Sequence, residues 1–118
     1  MPKWPSQVLP LTAAGLPRAL AGPRPVGIHC WARWNAYDYE FAERLRLAAE
    51  RFAPLADLYA LDTQHVANAG LVASWGILNV PAFVLFRRGV REATLWMERE
   101  SVAKFQERVE ARLAELAG

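Results

Sequence analysis

The chain has 118 residues, 53% of them hydrophobic, and a formal net charge of +2. That is one globular domain's length with enough apolar material for a core, which excludes a disordered chain. Twelve arginines and two lysines are interleaved with twelve acids, so no basic face of the kind that grips nucleic acid is expected.

Residues 1–6 read as an N-terminal arm, with Pro2 and Pro5 interrupting it and Trp4 without an evident place, and residues 7–118 read as a single domain. Gln7 to Leu11 is a short strand, and Pro10 within it suggests the edge of a sheet. Ala13 to Gly22 reads as a weak helix, kept short by Gly15 and Pro17. Pro25 to Trp31 (PVGIHCW) is a nearly continuous apolar run, the pattern of a strand buried on both faces. A long helix follows over 36–53, where Phe41, Leu45, Ala48, Ala49 and Phe52 recur at helical spacing and Pro54 stops it. Residues 55–62 read as another buried strand. Residues 65–77 read as a helix with Gly76 suited to its C-terminal cap.

Residues 81–96 read as a hairpin that turns at Arg87-Arg88-Gly89. The last helix is capped by Ser101 and carries Val102, Phe105, Val109, Leu113 and Leu116 on one stripe. The order is β-α-β-α-β-α-β-β-α, an α/β fold with a mixed sheet between helices on both faces. Neither a leader-like apolar segment nor a run of the ~20 apolar residues needed to span a membrane is present. Cytoplasmic residence without membrane contact is the expectation. The lone cysteine, Cys30, has no partner for an internal disulfide. With only two histidines there is no metal-ligand spacing either, and no cofactor is expected.

Three local signatures, in this order and at compatible spacing, resemble the thioredoxin family. HCWARWNAYD, residues 29–38, is similar to the family's aspartate-phenylalanine-tryptophan-alanine-x-tryptophan-cysteine-x-x-cysteine segment. WGILNVPAFVLF, residues 75–86, is similar to the glycine-isoleucine-x-x-isoleucine-proline segment. FRRGV, residues 86–90, is similar to its hairpin turn. The resemblance covers nearly the whole chain and implies the thioredoxin fold. It places Trp31 and Trp34 on the family's tryptophans, Asn35 and Asp38 on its two redox cysteines, and Ala36 and Tyr37 on the residues between them. Pro81 falls on its cis-proline, His29 on its buried aspartate, and Cys30 on a core phenylalanine. Glu43 stands where a proline kinks the family's second helix. The groove glycine after the last strand is missing, with Met97 and Glu98 nearby.

These departures bear on chemistry. Disulfide exchange needs an attacking thiolate and a resolving thiol, and an amide and a carboxyl supply neither. The expectation is a redox-inactive protein without a catalytic site. Strand alternation sends His29 and Cys30 to opposite faces, and Cys30 reads as a small core thiol. Asn35 is a good N-cap, and Asp38 in the first turn suits the helix dipole and offers a capping box. The resemblance also implies that His29 lies beneath Asp38 as a buried polar pair. It implies a peptide-binding groove at Trp34, Tyr37, Val80, Pro81 and Met97, so the expected partner is a protein or peptide. Two alternatives stand beside that reading. One is an enzyme using His29, Asp38 or Cys30. The other is a homodimer closed through the same aromatic surface.

Overall fold

The computed structural model describes residues 8–118; the arm expected at residues 1–6, and Gln7, lie outside them. Five strands form one sheet in the order β1-β3-β2-β4-β5, with β1 Val8–Leu11, β2 Val26–Trp31, β3 Asp57–Asp62, β4 Ala82–Arg87 and β5 Val90–Trp96. β1 and β2 pair parallel with β3, while β4 runs antiparallel to both β2 and β5. The apolar run at 26–31 is therefore an interior strand, buried at every residue. β1, with Pro10, takes an edge, where the missing N–H costs no ladder bond.

Helices α2 (Ala36–Leu47) and α5 (Val102–Ala117) cover one face of the sheet. There Phe41, Leu45, Phe83, Phe105, Val109 and Leu113 share a core, and the Phe41 ring packs against those of Phe83 and Phe105 at 5.8 and 5.1 Å. The short α1 (Leu16–Ala19) and α4 (Ala69–Trp75) cover the other face. Leu16, Leu20, Leu71, Val72 and Trp75 pack there on Ile28, Cys30, Leu61 and Val84.

The helix expected over 36–53 is not continuous. It ends at Ala48, whose φ and ψ of −106° and 10° leave the helical range, and a four-residue α3 follows at Ala49–Phe52. The break still delivers Phe52 to the core, fully buried. The strand expected from residue 55 begins at Asp57. Gly76 closes α4 in the left-handed conformation at φ 66°, a geometry favouring glycine. The hairpin turn is Arg88-Gly89, both at positive φ, as a two-residue turn between right-twisting strands requires. A bulge between Leu85 and Phe86 shifts the register beyond it.

Candidate functional site

β2 delivers the chain to one end of the sheet at Trp31. A tight turn follows, closed by the Asn35 N–H on the Ala32 carbonyl at 3.1 Å, and α2 starts at once. Asn35 is the N-cap: its backbone is extended and its Oδ1 accepts the Tyr37 N–H at 3.4 Å. An exposed helix start needs such an acceptor because its first N–H groups lack intrahelical partners.

Asp38 occupies the third helical position, but its side chain does not return to the Asn35 backbone as a capping box would. It turns inward and is fully buried. One oxygen lies 2.7 Å from His29 Nε2. The other accepts the Ala32 N–H at 3.0 Å and Asn35 Nδ2 at 2.9 Å. The capping box gives way because a carboxyl without exposure gains more from three hydrogen-bond partners than from one. The His29 ring is fully buried as well, edge-on to Phe41 with centroids 4.8 Å apart.

The Asn35 amide makes a second contact, donating to the Val80 carbonyl at 2.8 Å across 45 residues of sequence. Val80 is half-buried, Pro81 is buried, and the peptide bond between them is cis. The Pro81 carbonyl accepts the Met97 N–H at 3.2 Å. Met97 is half-buried and packs against the core beneath α2 and α5.

Trp34 is the most prominent side chain of this end. Its two neighbours are tied down. The Arg33 N–H bonds Gln64 Oε1 at 3.2 Å and the Arg33 carbonyl accepts the Tyr39 hydroxyl at 2.9 Å, while Asn35 is held as described. Trp34 between them is nevertheless 71% exposed, and Tyr37 is 55% exposed. Leu78, ahead of the cis bond, is also exposed.

The sequence residues thus fall into two groups. Trp34, Tyr37 and Val80 reach the surface, joined to Pro81 and Met97 by backbone. His29 and Asp38 lie under it, where neither side chain has exposed area. Cys30 belongs to neither group. It sits on the opposite face of the sheet with Ile28 and Val84, and burial, with the Asp38 charge adding to it, pushes its thiol up to about 12. A thiol so raised is neutral at ordinary pH and is no nucleophile.

His65 is exposed and caps a short turn, its Nδ1 accepting the Ala67 N–H at 3.1 Å. Among the described residues no group of three His, Cys, Asp or Glu side chains could hold a metal ion, and no helix is long and apolar enough to cross a membrane. Two contributors escape a reading of residue types. Gln64 pins Arg33, and the buried Asn68 ties the Ala13 N–H to the Asp62 carbonyl, both at 2.9 Å. Asn68 carried one signal, an N-cap residue type just ahead of a helix.

Comparison with known proteins finds no matching family model and no matching curated protein. Solved structures do match. Spinach chloroplast thioredoxin f, in its short form, superposes with a TM-score of 0.75 at 22% identity, over 97% of this chain and 97% of that one. A chain from the crystal structure of a ferredoxin:thioredoxin reductase and thioredoxin f2 complex gives a TM-score of 0.75 at 20% identity, covering 92% and 94%. The fold is therefore thioredoxin-like.

Proposed function

We propose that this chain binds a protein or peptide without covalent chemistry, at the surface that Trp34, Tyr37 and Val80 present beside the buried Pro81 and the half-buried Met97, and that it performs no thiol–disulfide exchange. The observation that carries the reading is Trp34. Its neighbours are fixed by hydrogen bonds on both sides, yet it stands 71% exposed. With the backbone fixed on either side, only the two side-chain torsions of this large aromatic remain to be ordered on binding, and tryptophan and tyrosine are enriched in binding hot spots.

The chemistry of the redox positions supports the second half. The chain has one cysteine, and its thiol is buried on the far face of the sheet. No resolving thiol exists for a mixed disulfide. The histidine–carboxyl pair has no exposed atom with which to meet a substrate. The same reading retains the cytoplasmic residence expected from the sequence, where a protein with no disulfide to form loses nothing.

Selection from a phage-displayed library of random 12-residue peptides tests the proposal. Wild-type protein should enrich a peptide family whose addition shifts the amide signals of residues 33–38, Val80 and Ala82. Trp34→Ala should weaken its affinity at least tenfold, with unfolding unchanged. Equal affinity of the two proteins, or no enrichment, would overturn the reading. Insulin reduction by dithiothreitol should proceed at its uncatalysed rate, and clear stimulation would refute the redox half.

A further inference from the structure

Along the chain the charges read as interleaved, but across the two faces of the sheet they are not. No aspartate or glutamate lies in residues 8–37 or 63–91, the segments that supply α1, α4 and the hairpin turn. Those segments carry Arg18, Arg24, Arg33, Arg87, Arg88 and Arg91, whereas α2 and α5 on the opposite face mix both signs. Arg24 and Arg87 are answered by Asp57 and Glu92. Arg18, Arg88 and Arg91 are exposed, and among the described residues none of them has a carboxylate partner. Arg18 stands in α1 by the β1 edge, sharing a hollow with Leu9, Pro10 and Tyr59. Arg91 lies on the β5 edge, where its Nη1 donates to the Trp75 carbonyl at 3.2 Å. Arg88 shares a hollow with Leu20, Ala21 and Pro23 at the hairpin end. Four strand spacings separate β1 from β5, so the two edges stand roughly 19 Å apart.

What these arginines surround is apolar and thinly covered. α1 and α4 run to four and seven residues, and neither has a fully buried residue. Leu16, Leu20, Leu71, Val72 and Trp75 pack on the core beneath and keep part of their surface in solvent. An apolar centre with arginine and tryptophan, and without lysine, aspartate or glutamate, is the composition of a protein interface. The molecule measures 33 × 29 × 25 Å, so one face has room for the ~800 Å² that each partner buries in a standard interface. A second copy does not fit. A two-fold contact matches a patch with itself and would set unpaired cations against unpaired cations. Nucleic acid would meet the arginines through phosphate and leave the apolar centre unused. We propose that the α1–α4 face is a second docking surface, separate from the one at Trp34, and that it fits a protein partner whose apolar patch is bordered by aspartate or glutamate. Each guanidinium offers a planar fork to a carboxylate, and the partner's apolar side chains cover Leu20, Val72 and Trp75. The proposal stands whether or not the Trp34 surface binds a peptide.

A displayed library of helical 20-residue peptides, each position varying among acidic, basic and apolar residues, tests this on the intact chain. Selection should return acidic amphipathic peptides that shift the amide signals of Arg18, Leu20, Val72 and Arg91 and the indole signal of Trp75. Replacing the apolar residues of such a peptide by serine should weaken binding at least tenfold, which separates docking from attraction between charges. Arg18→Glu combined with Arg88→Glu should also weaken it at least tenfold. Neither side chain makes a hydrogen bond within the described residues, so the urea midpoint of this double variant should match wild type. Four results would overturn the proposal. They are no enrichment at this face, enrichment there of basic or uncharged peptides, equal affinity of the double variant, and an affinity for polyglutamate or for 20-nucleotide single-stranded DNA that equals the peptide's. The serine replacements are read on wild-type protein and decide the matter even where the double variant does not fold.

Discussion

Asp38 shows how a single buried residue organises its surroundings. Its carboxyl group receives the His29 ring, the Ala32 N–H and the Asn35 amide. Removing the imidazole would leave Asp38 Oδ1 buried without the partner it has at 2.7 Å, the costly half of a buried pair. His29→Ala should therefore lower unfolding stability by roughly 3–5 kcal/mol in urea titration, with the slope unchanged. A variant as stable as wild type would show that Asp38 does not depend on the imidazole. Part of this cluster is legible from residue types alone. Asparagine followed by a first-turn aspartate announces a helix start, and a strand's period of two separates His29 from Cys30. What residue types withhold is the inward turn of Asp38 and the reach of Asn35 to Val80. Both depend on how the loop before β4 meets the start of α2, which is a matter of tertiary placement.

The elements repeat that lesson at a larger scale. All five strands and the major helices are legible because each carries its own periodicity or its own stop signal. The interruption at Ala48 is not, since Phe41, Leu45, Ala48 and Phe52 keep helical spacing across it and a stripe cannot report a break that preserves its phase. Gly27 is equally opaque in sequence, where it reads as one more small residue in an apolar run. In the sheet it lies between β3 and β4, and a Cβ there would come within 2.5 Å of Phe83 Cε1 and 3.2 Å of Leu58 Cδ2. Phe83 is fully buried in the phenylalanine cluster, its ring against that of Phe41, so moving aside would disturb that packing. Gly27→Ala should thus destabilise the protein by roughly 1–3 kcal/mol, the usual cost of overpacking, although alanine restricts the unfolded chain more than glycine does. A urea midpoint at or above that of wild type would show that the Phe83 ring yields.

At the scale of the molecule the sheet is a partition. One side holds the phenylalanine cluster and the buried His29–Asp38 pair under the candidate surface. The other holds an apolar core with Cys30 at its centre. That division makes global stability depend on alkaline pH through a residue on the face of the sheet opposite the His29–Asp38 pair. In the unfolded chain the thiol titrates at its ordinary value of 9.0, whereas the fold pushes it up to about 12, first by burial and then by the Asp38 charge. The sign follows from proton counting. Between these two values the unfolded chain has released the proton and the native protein still holds it, so raising the pH favours unfolding. The stabilisation is whole below pH 9 and declines as pH climbs toward 12. At about 1.4 kcal/mol per pH unit, the total is about 4 kcal/mol. Tyrosines and lysines titrate in the same range, so the decisive quantity is a difference between proteins. Cys30→Ala loses packing by an amount that does not vary with pH, and it has no thiol to titrate. The stability gap between wild type and Cys30→Ala, measured by urea unfolding from pH 8 to 11, should therefore narrow steadily above pH 9. A gap constant across that range would mean that the Cys30 thiol ionises in the folded protein as readily as in the unfolded chain, and that water reaches the centre of this core.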